Sequence, residues 1–131
     1  MTGDKQTESG DAISFEDLDV FKRSYKASLA IYRASLEFPK IEQVHGIADQ
    51  LRRASKSIPA NVAEGWAKAH RSPAELRRFV TIAIGSADEM RVWLRYGLDL
   101  NYINEAQWQE WRDEYQAIAK MLHALAKSAV A

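Results

Sequence analysis

Three kinds of side chain in this chain could do chemistry: three histidines, neighbouring carboxylates, and a set of basic groups concentrated between residues 50 and 95. A helical dimetal site takes two Glu-x-x-His pairs, which put carboxylate and imidazole on one helix face, together with two further glutamates. Only Glu42 and His45 have that spacing, while His70 follows Ala67 and His123 follows Lys120 at the same interval. A metal site is therefore not expected. With no cysteine in the chain, a thiol nucleophile and a cysteine-ligated zinc are excluded. Asp113 and Glu114 are adjacent, so on a helix their carboxylates diverge. No glycine-rich phosphate loop and no serine nucleophile motif is present. The chemistry expected is binding without catalysis and without a cofactor.

The basic groups are the remaining candidates. Lys+Arg and Asp+Glu number 18 each, which excludes a uniformly basic nucleic-acid clamp. The neutrality belongs to the sum, however. Residues 1–49 carry a net −3, residues 50–95 a net +5 and residues 96–131 a net −2. Within the positive block, Arg52, Arg53 and Lys56 lie opposite Leu51 and Ile58 on a helical wheel. Arg77, Arg91 and Arg95 fall near one wheel angle, with Asp88 among them. One reading is a surface that tracks the phosphates of RNA or a ribonucleoprotein, gaining affinity by counterion release. The other is a solvated face balanced by the acids of neighbouring helices. No aromatic-interleaved platform or RNA-binding motif favours the first.

The elements that must position these groups are helices. In 131 residues, with 47% apolar and 27% charged side chains, three prolines and six glycines, the composition is that of one globular domain. The polar start, MTGDKQTESGDA, has no signal-peptide core. Residues 1–13 are expected to be a disordered leader, and residues 14–131 a single cytoplasmic domain. Leu18, Phe21, Tyr25, Leu29, Tyr32 and Leu36 recur every three or four residues, which predicts a first helix with these side chains inward. Pro39 ends it. Val44, Ile47, Leu51, Ala54, Ile58 and Val62 form a second stripe that keeps phase across Pro59, predicting a helix kinked there. Ser55 and Ser57 are the expected partners of the freed carbonyls. Ser72-Pro73 with Glu75 predicts a capped third helix, closed by Asn101. Asn104 with Gln107 predicts the start of a fourth, whose stripe is Trp111, Tyr115, Ile118, Leu122, Leu125 and Ala129.

Helices of about 22–28 residues, roughly 35–40 Å long, joined by about three to six residues, must pack as antiparallel neighbours. The predicted fold is all-α: an antiparallel, left-handed, up-down-up-down four-helix bundle. The apolar surface exceeds what its core needs. Phe79, Ile82 and Trp93 sit about a quarter-turn from the third helix's stripe, and Val20, Ile31 and Phe38 are in excess on the first. These six are the predicted subunit interface, since large exposed apolar patches are uncommon on monomers. Gly85-Ser86 is expected to permit close helix packing.

The run Leu51-Arg52-Arg53-Ala54-Ser55-Lys56-Ser57-Ile58-Pro59-Ala60-Asn61-Val62-Ala63-Glu64-Gly65 resembles the signature of the 23S rRNA-intervening-sequence proteins. Arg78-Phe79, Ile82 to Glu89, Phe15-Glu16-Asp17-Leu18 and Phe38-Pro39 resemble that family too. The segment Trp66 to Arg71 is a residue or two longer than its commonest form. The resemblance implies a left-handed bundle and a ring-shaped homopentamer, with genes sometimes embedded in large-subunit rRNA. It carries over no catalytic residue. Of the signature's polar members, Arg53, Asn61 and Glu64, the expected role is hydrogen bonding at helix or subunit contacts. An oligomeric scaffold that binds RNA through the basic face is the leading expectation. A protein–protein adaptor without nucleic acid is the alternative.

Overall fold

A computed structural model describes residues 13–129; the polar leader expected at the N-terminus lies, apart from Ile13, outside the described residues. The fold is all-α. Four helices, α1 (Asp19–Ser35), α2 (Ile47–Lys68), α3 (Pro73–Asp99) and α4 (Glu105–Ser128), follow a short 3-10 turn at Phe15–Asp17, and no strand occurs among the described residues. In packing, α2 touches α1 and α3, and α4 touches α3 and α1. Between α1 and α3 no contact occurs among the described residues, so they sit on a diagonal.

The capping residues fix the ends. Asn104 Oδ1 accepts the Gln107 amide at 2.8 Å and Gln107 Oε1 accepts the Asn104 amide at 2.9 Å, closing the predicted box on α4. At α3 the box is half-made. Ser72 Oγ accepts the Glu75 amide, but the Glu75 carboxylate turns to Arg78 instead. Asn101 ends α3 in the left-handed region, φ 64°, where asparagine is among the best tolerated residues. The α2 helix runs unbroken through Pro59. Neither serine takes the role expected of it there. Ser55 Oγ donates to the Arg52 carbonyl, and Ser57 Oγ accepts from Asn61 Nδ2 and Ser86 Oγ.

The core stripes of α3 and α4 match expectation: Leu76, Val80, Ala83, Ala87, Met90 and Leu94 are buried, as are Tyr115, Ile118 and Leu122. Gly65 lets α2 lie against α3, because a Cβ there would stand 3.0 Å from Phe79 Cβ. Helix α1 differs from expectation. Its buried face is Val20, Ser24, Ala27, Ser28, Ile31 and Ser35, whereas Tyr25, Leu29, Tyr32 and Leu36 are exposed. The helix is rotated about a third of a turn from the predicted orientation. The physical reason lies in the serines. The hydroxyls of Ser24, Ser28 and Ser35 donate to the carbonyls of Phe21, Tyr25 and Tyr32 at 3.2, 2.7 and 2.7 Å. Bonded back to its own turn, each serine packs as a small, satisfied side chain, consistent with the rule that buried polar groups find partners.

The α1–α2 connection is also longer than expected, spanning residues 36–46, and Val44 stands in it exposed. Glu42 organises this segment: one carboxylate oxygen accepts the Ile47 amide at 2.8 Å and the other accepts the Tyr102 hydroxyl at 2.8 Å. His45, at φ 64°, makes the left-handed turn that leads into α2.

One buried polar group is left over. The Tyr115 hydroxyl has no hydrogen-bond partner among the described residues, and burial, then the nearby Glu114 charge, pushes its pKa up. Three outcomes follow for the unfolding of a single chain. Ser24→Leu overfills the α1 core face and costs about 1–3 kcal/mol, whereas Leu36→Ser changes stability by no more than about 0.5 kcal/mol. Tyr115→Phe removes an unsatisfied hydroxyl and stabilises by on the order of 1 kcal/mol. The folded state keeps the Tyr115 proton after the unfolded chain has lost it, so stability falls as pH rises above about 10. Tyr115→Phe flattens that alkaline decline.

Candidate functional site

The basic residues singled out in sequence do not form one free face. The Arg52 guanidinium is half-buried and committed. It donates to Ser35 Oγ at 2.8 Å, to Gln43 Oε1 at 3.1 Å and to the Gln43 carbonyl at 2.7 Å, and lies 5.8 Å from the Tyr32 ring centre. Gln43 Nε2 in turn donates to the carbonyls of Ser35 and Phe38. Arg52 thus clamps the end of α1 to α2. Arg77 donates to the Ala129 carbonyl beyond the end of α4. Arg91 pairs with Asp88 at 3.6 Å, and Arg95 pairs with Asp99 at 3.1 Å while lying over Trp108. Arg53 pairs with Asp49 at 3.1 Å, and that guanidinium holds the Asp49 carboxyl below the usual carboxylate range. Lys56 stands on an exposed groove between α1 and α2.

The signature's polar residues act within the chain. Asn61 Nδ2 donates to the Ser57 carbonyl at 2.8 Å and to Ser57 Oγ at 3.0 Å, and Ser86 Oγ joins Ser57 Oγ at 2.8 Å, linking α2 to α3. Glu64 pairs with Lys68 at 3.1 Å.

The predicted interface residues divide. Val20, Ile31 and Phe38 are core residues, with Ile31 only 1% exposed; they cannot be an interface, because Val20 and Ile31 lie on the inward face of α1 and Phe38, in the connection after it, packs against Tyr102. Phe79 is half-buried beneath the cations of Lys68 and Arg78, at 4.8 and 4.5 Å. Trp93 is half-buried and donates to Glu89 Oε2 at 3.0 Å. Ile82 is exposed. Gly85 has nothing within 4 Å of where a Cβ would stand, so it serves no helix packing inside the chain.

The surface that sequence reasoning missed is the outward side of α1. Tyr25 and Leu36 are 50% and 53% exposed, with Leu29 and Tyr32 between them. They border a groove of about 330 Å³ whose walls are Phe21, Tyr25, Leu29 and Tyr32 from α1 and Lys56, Pro59, Ala60 and Ala63 from α2. Phe15 stands edge-on to Phe21, and Phe21 stacks on Tyr25 at 5.8 Å, so the aromatic surface continues past the start of the helix. The signal was present as the alternative stripe of serine and alanine at the same spacing. Among the described residues no group of three or more His, Cys, Asp or Glu is placed to hold a metal ion. No helix there is long and apolar enough to cross a membrane.

The model of the 23S rRNA-intervening sequence protein family matches residues 16–124. The chain belongs to that family. No curated protein matches the sequence. Among solved structures, the chain is similar to a crystal structure described as a protein of unknown function from the S23 ribosomal protein family of Bacteroides thetaiotaomicron. The TM-score is 0.69 at 22% identity, over 82% of this chain and 90% of that one. That likeness shows a shared fold. In this family member, the signature's Arg52 joins the end of α1 to α2, while Arg53 pairs with Asp49 on its own helix.

The clamp gives a direct test. Arg52→Ala leaves the Gln43 carbonyl and side chain short of charged donors and costs about 1.5–3 kcal/mol. Arg52→Lys recovers little, because an ammonium cannot reproduce the fork. Lys56→Ala stays within about 0.5 kcal/mol of wild type in urea unfolding.

Proposed function

We propose that this protein is a non-enzymatic, cytoplasmic helical scaffold that assembles through protein–protein contacts. In this reading residue 14 onward is one domain, a left-handed up-down-up-down bundle with α2 kinked at Pro59. The observation that carries the reading is the stripe of Tyr25, Leu29, Tyr32 and Leu36 beside an apolar groove. A ridge of aromatic and aliphatic side chains with no core to fill marks a contact surface rather than a random scatter of exposed residues. The family resemblance adds a homopentamer as the expected number.

Contact with RNA or a ribonucleoprotein is the second reading. It draws on the rRNA in the family's name and on Arg53, whose side chain is 67% exposed close to Lys56 in the sequence of α2. Against it, Arg52 and Arg77 are bound within the chain, and Arg53, Arg91 and Arg95 each face an acid. A phosphate would have to displace that acid before its charge counted in full.

Light scattering at micromolar concentration tests the scaffold. The expected result is a mass several times the 14.9 kDa chain, and a folded monomer for the double variant Leu29→Glu/Tyr32→Glu. A monomeric wild type would remove the reading. Titration of structured RNA at two salt concentrations addresses the second reading. Salt-dependent binding that Arg53→Glu/Lys56→Glu abolishes, with assembly intact, would establish it.

A further inference from the structure

We propose that the groove between α1 and α4 binds a small zwitterion with an apolar side chain, of the class of a free aliphatic amino acid. This groove lies on the other side of α1 from the one walled by α2, so it does not depend on the assembly reading above.

Two sets of opposite charges face this seam. Arg23 on α1 meets Glu114 on α4 through hydrogen bonds of 2.7 and 3.1 Å. Lys26 follows Arg23 by three residues and Glu110 precedes Glu114 by four, so each stands about one helical turn from the made pair. Both line the same groove. Among the described residues neither Lys26 nor Glu110 has an ion-pair partner, although Arg23 and Glu114 beside them do. One pair is closed and the next is open.

The space between them is real. The groove holds about 360 Å³, lined by Ala27 and Ala30 from α1 and by Trp111 from α4. Ala27 is buried, and Ala30 and Trp111 are half-buried. Alanine leaves there the room that a larger side chain would fill. Sites for small ligands combine apolar walls of this kind with a few placed polar groups.

Charge decides the class of ligand. The lining carries two cations, Arg23 and Lys26, both on α1, and two anions, Glu110 and Glu114, both on α4. A simple anion drawn to Lys26 meets the Glu110 carboxylate, and a simple cation drawn to Glu110 meets the Lys26 ammonium. A dipolar ion satisfies both. Its carboxylate accepts from Lys26 and its ammonium donates to Glu110, each as a charge-assisted hydrogen bond. The Trp111 ring adds a face that attracts an ammonium. The ligand's aliphatic side chain then covers the alanines. Arg23 and Glu114 already neutralise each other and leave this choice to the open pair.

The test is an NMR titration of the whole chain with L-leucine, reading the Trp111 indole and the methyls of Ala27 and Ala30. Two probes of similar shape each lack one charge: isocaproate has no ammonium, and isoamylamine has no carboxylate. Leucine is expected to shift these signals with saturation in the millimolar range, and each probe to bind at least about tenfold more weakly. Lys26→Met and Glu110→Gln change exposed side chains and are expected to keep the fold, with unchanged circular dichroism. Each should weaken leucine by at least about tenfold. No shift at about 10 mM leucine, equal binding of all three probes, or a leucine affinity that neither variant changes overturns the site.

Discussion

The small face of α1 is the constraint on which the rest of the molecule depends. Ser24, Ala27, Ser28 and Ser35 carry little volume, and three of the four have hydroxyls bonded back to the preceding turn. A helix with such a face can approach its neighbours closely, and it must place its bulky residues elsewhere. Ile31 is the large exception and fills the centre. Packing density sets the direction of the rotation: the space between α1, α2 and α4 suits serine and alanine, and a tyrosine there would force the helices apart. Exposure of Tyr25, Leu29, Tyr32 and Leu36 is therefore a consequence of how the core is packed. The chain builds its core with small residues on α1 and keeps its large ones for an outer surface.

Electrostatics follow the same economy. The sequence segregates charge into blocks, but the fold neutralises it over single turns and single contacts. Arg53 with Asp49, Arg78 with Glu75, Arg91 with Asp88 and Arg95 with Asp99 lie three or four residues apart on one helix. Arg23 and Glu114 join α1 to α4 through two hydrogen bonds of 2.7 and 3.1 Å. Exposed pairs of this kind add little stability; their effect is to lower the field that a distant phosphate would feel. Arg52 is different because its partners are uncharged: the Ser35 hydroxyl at the end of α1, and the carbonyl and side-chain amide of Gln43 in the connection. There its charge complements the C-terminal dipole of α1 and fixes the long connection to α2.

Helices α3 and α4 were legible in the sequence, and the reasons are local. Ser72-Pro73 and Asn104 with Gln107 mark starts by chemistry that needs only neighbouring residues, and the stripes from Leu76 and Tyr115 combine volume with spacing. Helix α1 was legible as a helix but not in its orientation, because two stripes with the same period compete in it. Choosing the larger side chains favoured the wrong one. The connection over residues 36–46 was hidden for another reason: Glu42 caps α2 from outside the helix while accepting from Tyr102, sixty residues away. The candidate site was less legible still. Arginine types and spacing look alike whether a guanidinium faces solvent or, like Arg52, closes on Ser35 and Gln43.

Gly65, Gly85 and Ser24 are all small residues at helical positions, yet they carry different information. Around Ser24 and Gly65 the fold supplies the neighbour, and the small side chain is accounted for by the protomer alone. Around Gly85 it supplies none. A helix interior loses stability by having glycine in place of alanine, by about 1 kcal/mol, and an exposed strip with Ile82, Val92 and Tyr96 offers no backbone turn that would need glycine's freedom. The same reasoning applies to Tyr25 and Tyr32, whose rings are larger than a solvated face requires.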